Sequence, residues 1–168
     1  MTEAAIGLGA NLGAREATLR RGLWSLGLPV LAASSLYESR PVETEIAQPN
    51  YLNAVAILLV PDRMAPGELL ARLLETEAAL GRVRAPGKPP RTLDLDLLLF
   101  GRLELARPRL TLPHPGLLRR RFVLEPLLEV RPQIQLPDGR QVAPYLAATR
   151  DQEVRRVTGR CWWWRTAD

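Results

Sequence analysis

At 168 residues, 46% of them hydrophobic, the chain can bury one core but not two comfortable ones, and the composition excludes an unfolded polar segment. The net charge of +5 includes 23 basic residues of which only Lys88 is lysine, so either arginine-favouring codon usage or a polyanionic partner accounts for it. The longest apolar run, "AVAILLV", is far below the roughly 20 residues of a membrane-spanning helix, and the lone Cys161 excludes an internal disulfide; with no basic leader at "MTEAA", a cytoplasmic protein is expected.

Residues 3–9 ("EAAIGLG") read as a strand ending in glycines. "AREATLRRGLWSLG" follows with Leu19, Leu23 and Leu26 at helical spacing and Gly27 as a C-terminal cap. Strands are expected over 30–39 and 51–60, the second closed by Pro61. "APGELLARLLETEAALG" is a helix with Pro66 near its start and Gly81 past its end. "TLDLDLLLF" (92–100) is the fourth strand. The order β-α-β-β-α-β predicts an α+β, ferredoxin-like antiparallel sheet with packed helices and a C-terminal extension, in one domain over 1–168. Beyond it come a short strand and a proline-flanked turn in "RPRLTLPHPG", then two helical pieces of "LLRRRFVLEPLLEV" divided at Pro126. A hairpin turn at Asp138-Gly139, a helical turn in "YLAAT" and a tryptophan-rich tail complete the chain.

The fourth strand poses the chemical question. Alternation puts Asp94 and Asp96 on one face and Leu93, Leu95 and Leu97 on the other. The acidic face needs a cationic partner, because an unpaired buried carboxylate is very costly. Arginines could supply it as salt bridges. Magnesium could supply it too, since it binds through one or two carboxylates plus substrate phosphates. The second helix is expected to bury Leu70, Leu73 and Leu74, and Glu77 sits on or beside that stripe, as a solvated border position or a functional group. Arg82, Arg84 and Arg91 flank the loop "APGKPP" that leads into the acidic strand, a setting suited to a metal-nucleotide polyanion.

Other chemistries lack their residues. His114 is the only histidine and has no nucleophile beside it in sequence, so neither a hydrolase triad nor a zinc site is supported. "GLGANLG" has the wrong spacing for a dinucleotide fingerprint, and "APGKPP" is no P-loop.

Five segments, "GANLG", "QPNYLNAV", "ETEAALGRVR", "PRTLDLDLLLFG" and "LTLPHPGLLRRRFVLEPL", occur in an order and spacing that closely resemble the 6-hydroxymethyl-7,8-dihydropterin pyrophosphokinases of folate biosynthesis. The resemblance spans roughly residues 4–130. It implies transfer of the β,γ-diphosphate of ATP to the pterin hydroxymethyl group, leaving AMP. It implies that Asp94 and Asp96 hold two Mg2+ ions, and that Arg82, Arg84 and Arg91 contact or close over phosphates, with Arg82 and Arg91 stabilising developing charge. Glu77, Arg109, Thr111, His114 and Arg120 would line the nucleotide side. Tyr51 and Phe122 would sandwich the pterin, Asn53 would read its edge, and Ser39, Val42 and Asp94 would border that pocket. A monomer is expected, with ATP and the pterin as partners and neither nucleic acid nor membrane.

The chain departs from the pattern in the 85–90 loop, which lacks the usual tryptophan and carries three prolines that stiffen it. Two rival readings remain. An RNA-binding sheet would need exposed aromatics on its central strands, and a two-metal phosphatase or nuclease would need more ligands than D-x-D supplies.

Overall fold

The structure is a computed structural model and describes residues 1–42, 47–82 and 90–164. Its main sheet holds β1 (Thr2–Ala10), β2 (Val30–Ala33), β3 (Leu36–Ser39), β4 (Tyr51–Val60), β5 (Asp94–Phe100) and a late strand. Every pairing is antiparallel, and β1 lies between β4 and β5. The spatial order β5-β1-β4-β3 places the fourth predicted strand beside the first, as the split βαββαβ pattern requires.

Helices α1 (Arg15–Ser25) and α2 (Pro66–Ala79) cover one face. Leu19, Leu23, Leu69 and Leu73 pack there on Ile6, Leu8, Leu58, Leu95 and Leu97. Gly22 permits the close approach of α1 to the sheet, since a Cβ there would lie 2.8 Å from Leu93 Cδ2. Gly27 ends the helix at φ +62, a conformation that favours glycine. Glu68 accepts the Ala65 N–H at 2.6 Å and so occupies one of the unpaired donors at the start of α2.

The opposite face is covered only in part. After the short hairpin β6 (Leu105–Arg107) and β7 (Leu110–Leu112), helix α3 (Arg121–Val130) lays Val123, Leu124 and Leu127 on Val55, Ile57, Leu98 and Leu99. The ends of β1, β4 and β5 that carry Gly9, Asn53 and Asp94 extend past this cover, and the clefts described below open there.

Three expectations are corrected locally. The strand foreseen over 30–39 is two pieces, because Ser34 and Ser35 leave the ladder and bond otherwise. Ser34 Oγ accepts the Val55 N–H at 3.0 Å, and the Ser35 N–H and hydroxyl donate to the Glu129 carboxylate at 2.9 and 2.8 Å. Helix α3 runs unbroken through Pro126, which is buried in the α3 packing face. The proline costs the bond its missing N–H would have made to Phe122, but burial of the neighbouring apolar residues holds the helix together. Finally, β8 (Val154–Thr158) adds an edge strand to β3 where none was foreseen. A 3-10 turn follows over Arg160–Trp163, with the Trp162 indole N–H donating to the Ser34 carbonyl at 2.7 Å. No helix among the described residues is long and apolar enough to cross a membrane.

Candidate active site

Two rows of residues cross the sheet on the face that α3 leaves open. The register pairs Gly9 with Asn53 on β4 and with Asp94 on β5. One step along, Gly7 pairs with Val55 and with Asp96. Strand spacing therefore sets Asn53 and Asp94 about 9.6 Å apart across a central strand that carries no side chain at Gly7 and Gly9. The cleft above this floor, about 760 Å³ with the open space at its mouth included, is walled by Ser39, Val42, Tyr51 and Phe122.

The glycine floor is not demanded by packing. A Cβ on Gly9 would meet Asn53 Oδ1 at 3.5 Å, Tyr51 Cδ1 at 3.7 Å and Asp94 Cβ at 3.9 Å, all ordinary contacts. Alanine also suits a strand better than glycine by roughly 0.5–1 kcal/mol. Gly9→Ala is therefore expected to fold with an unchanged or slightly higher melting temperature, yet to lose at least about tenfold in affinity for a flat ligand lying on the floor. Thermal melts beside ligand titration check both halves, and intact affinity would show that nothing lies there.

The polar wall is oriented by its surroundings. Asn53, 3% exposed, donates both amide hydrogens inward, to the Tyr37 carbonyl at 3.1 Å and to Ser39 Oγ at 2.9 Å. Its Oδ1 is thereby left toward Gly9, so it presents an acceptor to the cleft. An amide offers both donors and an acceptor, and here Tyr37 and Ser39 consume the donors. The Tyr51 hydroxyl donates to Gln48 Oε1 at 3.3 Å. Burial foremost, and then the Asp94 charge, raises the Tyr51 pKa, so the ring stays neutral at neutral pH.

A second, wider cleft, about 980 Å³ with the open space at its mouth included, lies beyond the carboxylates. Its lining includes Glu77, Arg82, Arg109, Thr111 and His114. The two clefts share Arg91, Asp94, Asp96 and Arg120, so the acidic pair stands at their junction.

Both readings of the D-x-D motif have counterparts here. Asp94 accepts from Arg82 Nη1 at 2.6 Å on one oxygen and from Arg91 Nη1 at 2.5 Å on the other. Asp96 has its partners farther off, with His114 Nε2 at 3.8 Å and the Arg120 guanidinium at 4.0 Å. Burial foremost, then the charge of Asp94, raises the Asp96 carboxyl above its ordinary range, against the pull of His114, Arg120 and Arg91. Burial likewise lowers the His114 pKa, although Asp96 pulls it the other way. His114 Nδ1 accepts the Gly116 N–H at 3.0 Å, so the neutral ring carries its proton on Nε2, facing Asp96.

Glu77 is 1% exposed and lies on the buried stripe of α2 with Leu69, Leu73 and Thr76. Its Oε1 accepts the Leu95 N–H at 2.7 Å and pairs with Arg82. It lines the second cleft beside the arginine it holds. Arg84 and Lys88 lie outside the described residues. Sequence reasoning did not single out Gly7, Gly9, Arg40, Pro41 or Gln48, which also line the first cleft. Gln48 stood within the quoted "QPNYLNAV", and the glycines showed only as a turn signal.

The donor set suits magnesium. Among the described residues no three His, Cys, Asp or Glu side chains converge on a point, which disfavours a metal caged by protein alone. Magnesium takes one or two carboxylates and completes its shell with water and substrate phosphate, and Asp94 and Asp96 offer two beside an open cleft.

The chain is similar to known proteins over most of its length. A family model described as 7,8-dihydro-6-hydroxymethylpterin-pyrophosphokinase matches residues 5–132. The 2-amino-4-hydroxy-6-hydroxymethyldihydropteridine pyrophosphokinase of Pseudomonas aeruginosa is 40% identical over 158 residues, 92% of this chain and 96% of that protein. Its namesake from Bacillus subtilis is 39% identical over 156 residues, 90% of this chain and 87% of the relative. A Plasmodium falciparum HPPK-DHPS A437G crystal structure with SDX-DHP superposes with a TM-score of 0.70 at 12% identity, over 88% of this chain and 45% of that longer one, a likeness of fold.

Proposed function

Since the chain belongs to the 7,8-dihydro-6-hydroxymethylpterin-pyrophosphokinase family, we propose that its two clefts divide the two substrates of that reaction between them. The protein transfers the β,γ-diphosphate of ATP to the hydroxymethyl oxygen of the dihydropterin, in folate biosynthesis. A bond forms from the hydroxyl oxygen to the β-phosphorus, the bond from that phosphorus to the bridging α-phosphate oxygen breaks, AMP leaves, and the hydroxyl proton is released to water. The observation that carries the division is the junction, where both clefts meet at Arg91, Asp94, Asp96 and Arg120.

In this reading the pterin lies on Gly7 and Gly9, between Tyr51 and Phe122. Its donor edge meets Asn53 Oδ1, and Ser39 and Val42 close the border. A flat heteroaromatic ring suits two aromatic walls and a backbone floor. The nucleotide takes the second cleft, lined by Glu77, Arg109, Thr111, His114 and Arg120, with its phosphates reaching the junction. Two magnesium ions on Asp94 and Asp96 would screen the phosphate charge and polarise the oxygens around the β-phosphorus. Arg82 and Arg91 already stand at the junction, held on Asp94, and add fixed positive charge where negative charge develops. Fixing both reactants in adjoining clefts supplies the proximity that a chemically unassisted phosphoryl transfer needs.

An RNA-binding sheet fits less well. One face is sealed by α1 and α2, and the open part of the other presents two carboxylates. Incubation with ATP, magnesium and the hydroxymethyl-dihydropterin, followed by separation of nucleotides, is expected to give AMP and the pterin diphosphate. Excess chelator is expected to stop the reaction. ADP as product would overturn diphosphate transfer, and full activity in chelator would overturn the metal role.

A further inference from the structure

We infer that Asn11 is a positioning residue that clamps the phosphate side of the site to the pterin side without touching either substrate, an inference that rests on the function proposed above. Asn11 is the first residue beyond β1, the strand whose glycines floor the first cleft. It is 2% exposed and lines neither cleft. Its backbone N–H donates to the Arg91 carbonyl at 3.1 Å, and its Oδ1 accepts the Arg91 N–H at 2.7 Å. Both backbone polar groups of Arg91 are thus fixed by one residue, and that arginine grips Asp94.

The other end of the same amide points to Gln48 and Pro49 just ahead of β4, the pterin loop of the proposed reading. Asn11 Nδ2 donates to Gln48 Oε1 at 2.8 Å and to the Pro49 carbonyl at 3.1 Å. Gln48 lines the first cleft, and its Oε1 also accepts from the Tyr51 hydroxyl. Both amide donors and an acceptor lone pair are therefore spent on two separate loops. An asparagine that merely shapes a turn bonds to its own neighbours, a few residues away. These side-chain bonds reach 37, 38 and 80 positions along the chain.

The two ends of the amide can be cut separately. Asn11→Asp keeps the shape and the acceptor for Arg91 but replaces both donors with an oxygen. Gln48 can turn its own amide to meet that oxygen, whereas the Pro49 carbonyl can only accept, and the two oxygens repel. The pterin loop is displaced while Arg91 stays. The pterin KM is expected to rise about tenfold, with kcat and the ATP KM within about threefold of wild type. Asn11→Ala releases Arg91 as well, so kcat is expected to fall about tenfold or more in addition.

The test is steady-state AMP formation with each substrate varied, alongside thermal melts. If wild type forms no AMP, the proposed activity itself fails, separately from this inference. With active wild type, an unchanged pterin KM in Asn11→Asp, or equal rises in both KM values, overturns the clamp. So does a lowered melting temperature in Asn11→Ala with normal kinetics, the result for a residue that only shapes its turn. Should Asn11→Ala fail to fold, the pair of KM values for Asn11→Asp decides alone.

Discussion

Asp96→Asn is expected to lower kcat/KM by about a thousandfold or more while raising the melting temperature of the metal-free protein. The two effects have one cause. Asp96 is held in its charged form against burial and against the charge of Asp94, with the His114 ring 3.8 Å and the Arg120 guanidinium 4.0 Å away. Its folded pKa therefore stands above the ordinary 3.8, so the folded state binds the proton more readily than the unfolded chain. The linked stability is fully present below the unfolded value and is lost as pH rises through the folded one. Asparagine mimics the protonated form at every pH. Melts in chelator from about pH 5 to about pH 8 should show the variant ahead, by a margin that narrows toward acid.

Asp94→Asn is expected to lose activity comparably but to gain no stability, because it weakens two charge-assisted bonds, at 2.6 and 2.5 Å. A melting temperature below wild type at every pH for Asp96→Asn would show that the carboxylate stabilises the fold, which would remove the case for a site kept charged for a ligand.

The framework was legible because its signals are periodic and strong. The leucines at 19, 23 and 26 mark a helix face that is indeed buried, whereas the stripe expected at Leu70, Leu73 and Leu74 is turned: α2 buries Leu69 and Leu73 and leaves Leu74 40% exposed. The alternation in "TLDLDLLLF" correctly sets the aspartates opposite the leucines that pack on α1 and α2. What escaped depends on contacts distant in sequence. The break at Ser34 and Ser35 rests on Glu129, 94 positions from Ser35, and no local pattern announces it. Strand β8 has two arginines within five residues and owes its place to pairing with β3. Pro126 argued for a break, and the apolar face of α3 overrode it.

The site divides in the same way. Residue types with few chemical uses, such as paired aspartates and flanking arginines, could be picked out from sequence with the help of the family pattern. Whether Asp94 faced arginine or open space could not, and the structure supplies both. Glu77 illustrates the difference. Its position on α2 was readable, but its bond to the Leu95 N–H needs the helix already docked on β5. Gly7 and Gly9 matter for the side chains they lack, a property that stands out only when their sheet neighbours are known.

Phe122→Ala is expected to weaken pterin binding by about 10- to 100-fold while changing ATP affinity by less than about threefold. Phe122 lines the first cleft and not the second, so the loss falls on one substrate. It also separates the first cleft from an outer hollow lined by Ser39, Arg40, Val42 and residues 151–154. Truncation therefore removes a stacking face and opens the pocket wall to water at once. Phe122→Leu keeps much of the wall without the aromatic face, and is expected to fall between alanine and wild type. Tyr51→Ala should match Phe122→Ala in direction, with an added loss because Gln48 loses the hydroxyl it accepts from. Direct titration of the pterin, with and without a non-hydrolysable ATP analogue and magnesium, separates these effects from turnover. Equal losses for both ligands would mean that the start of α3 had shifted, carrying Arg120 with it, and would defeat the stacking role assigned to the ring.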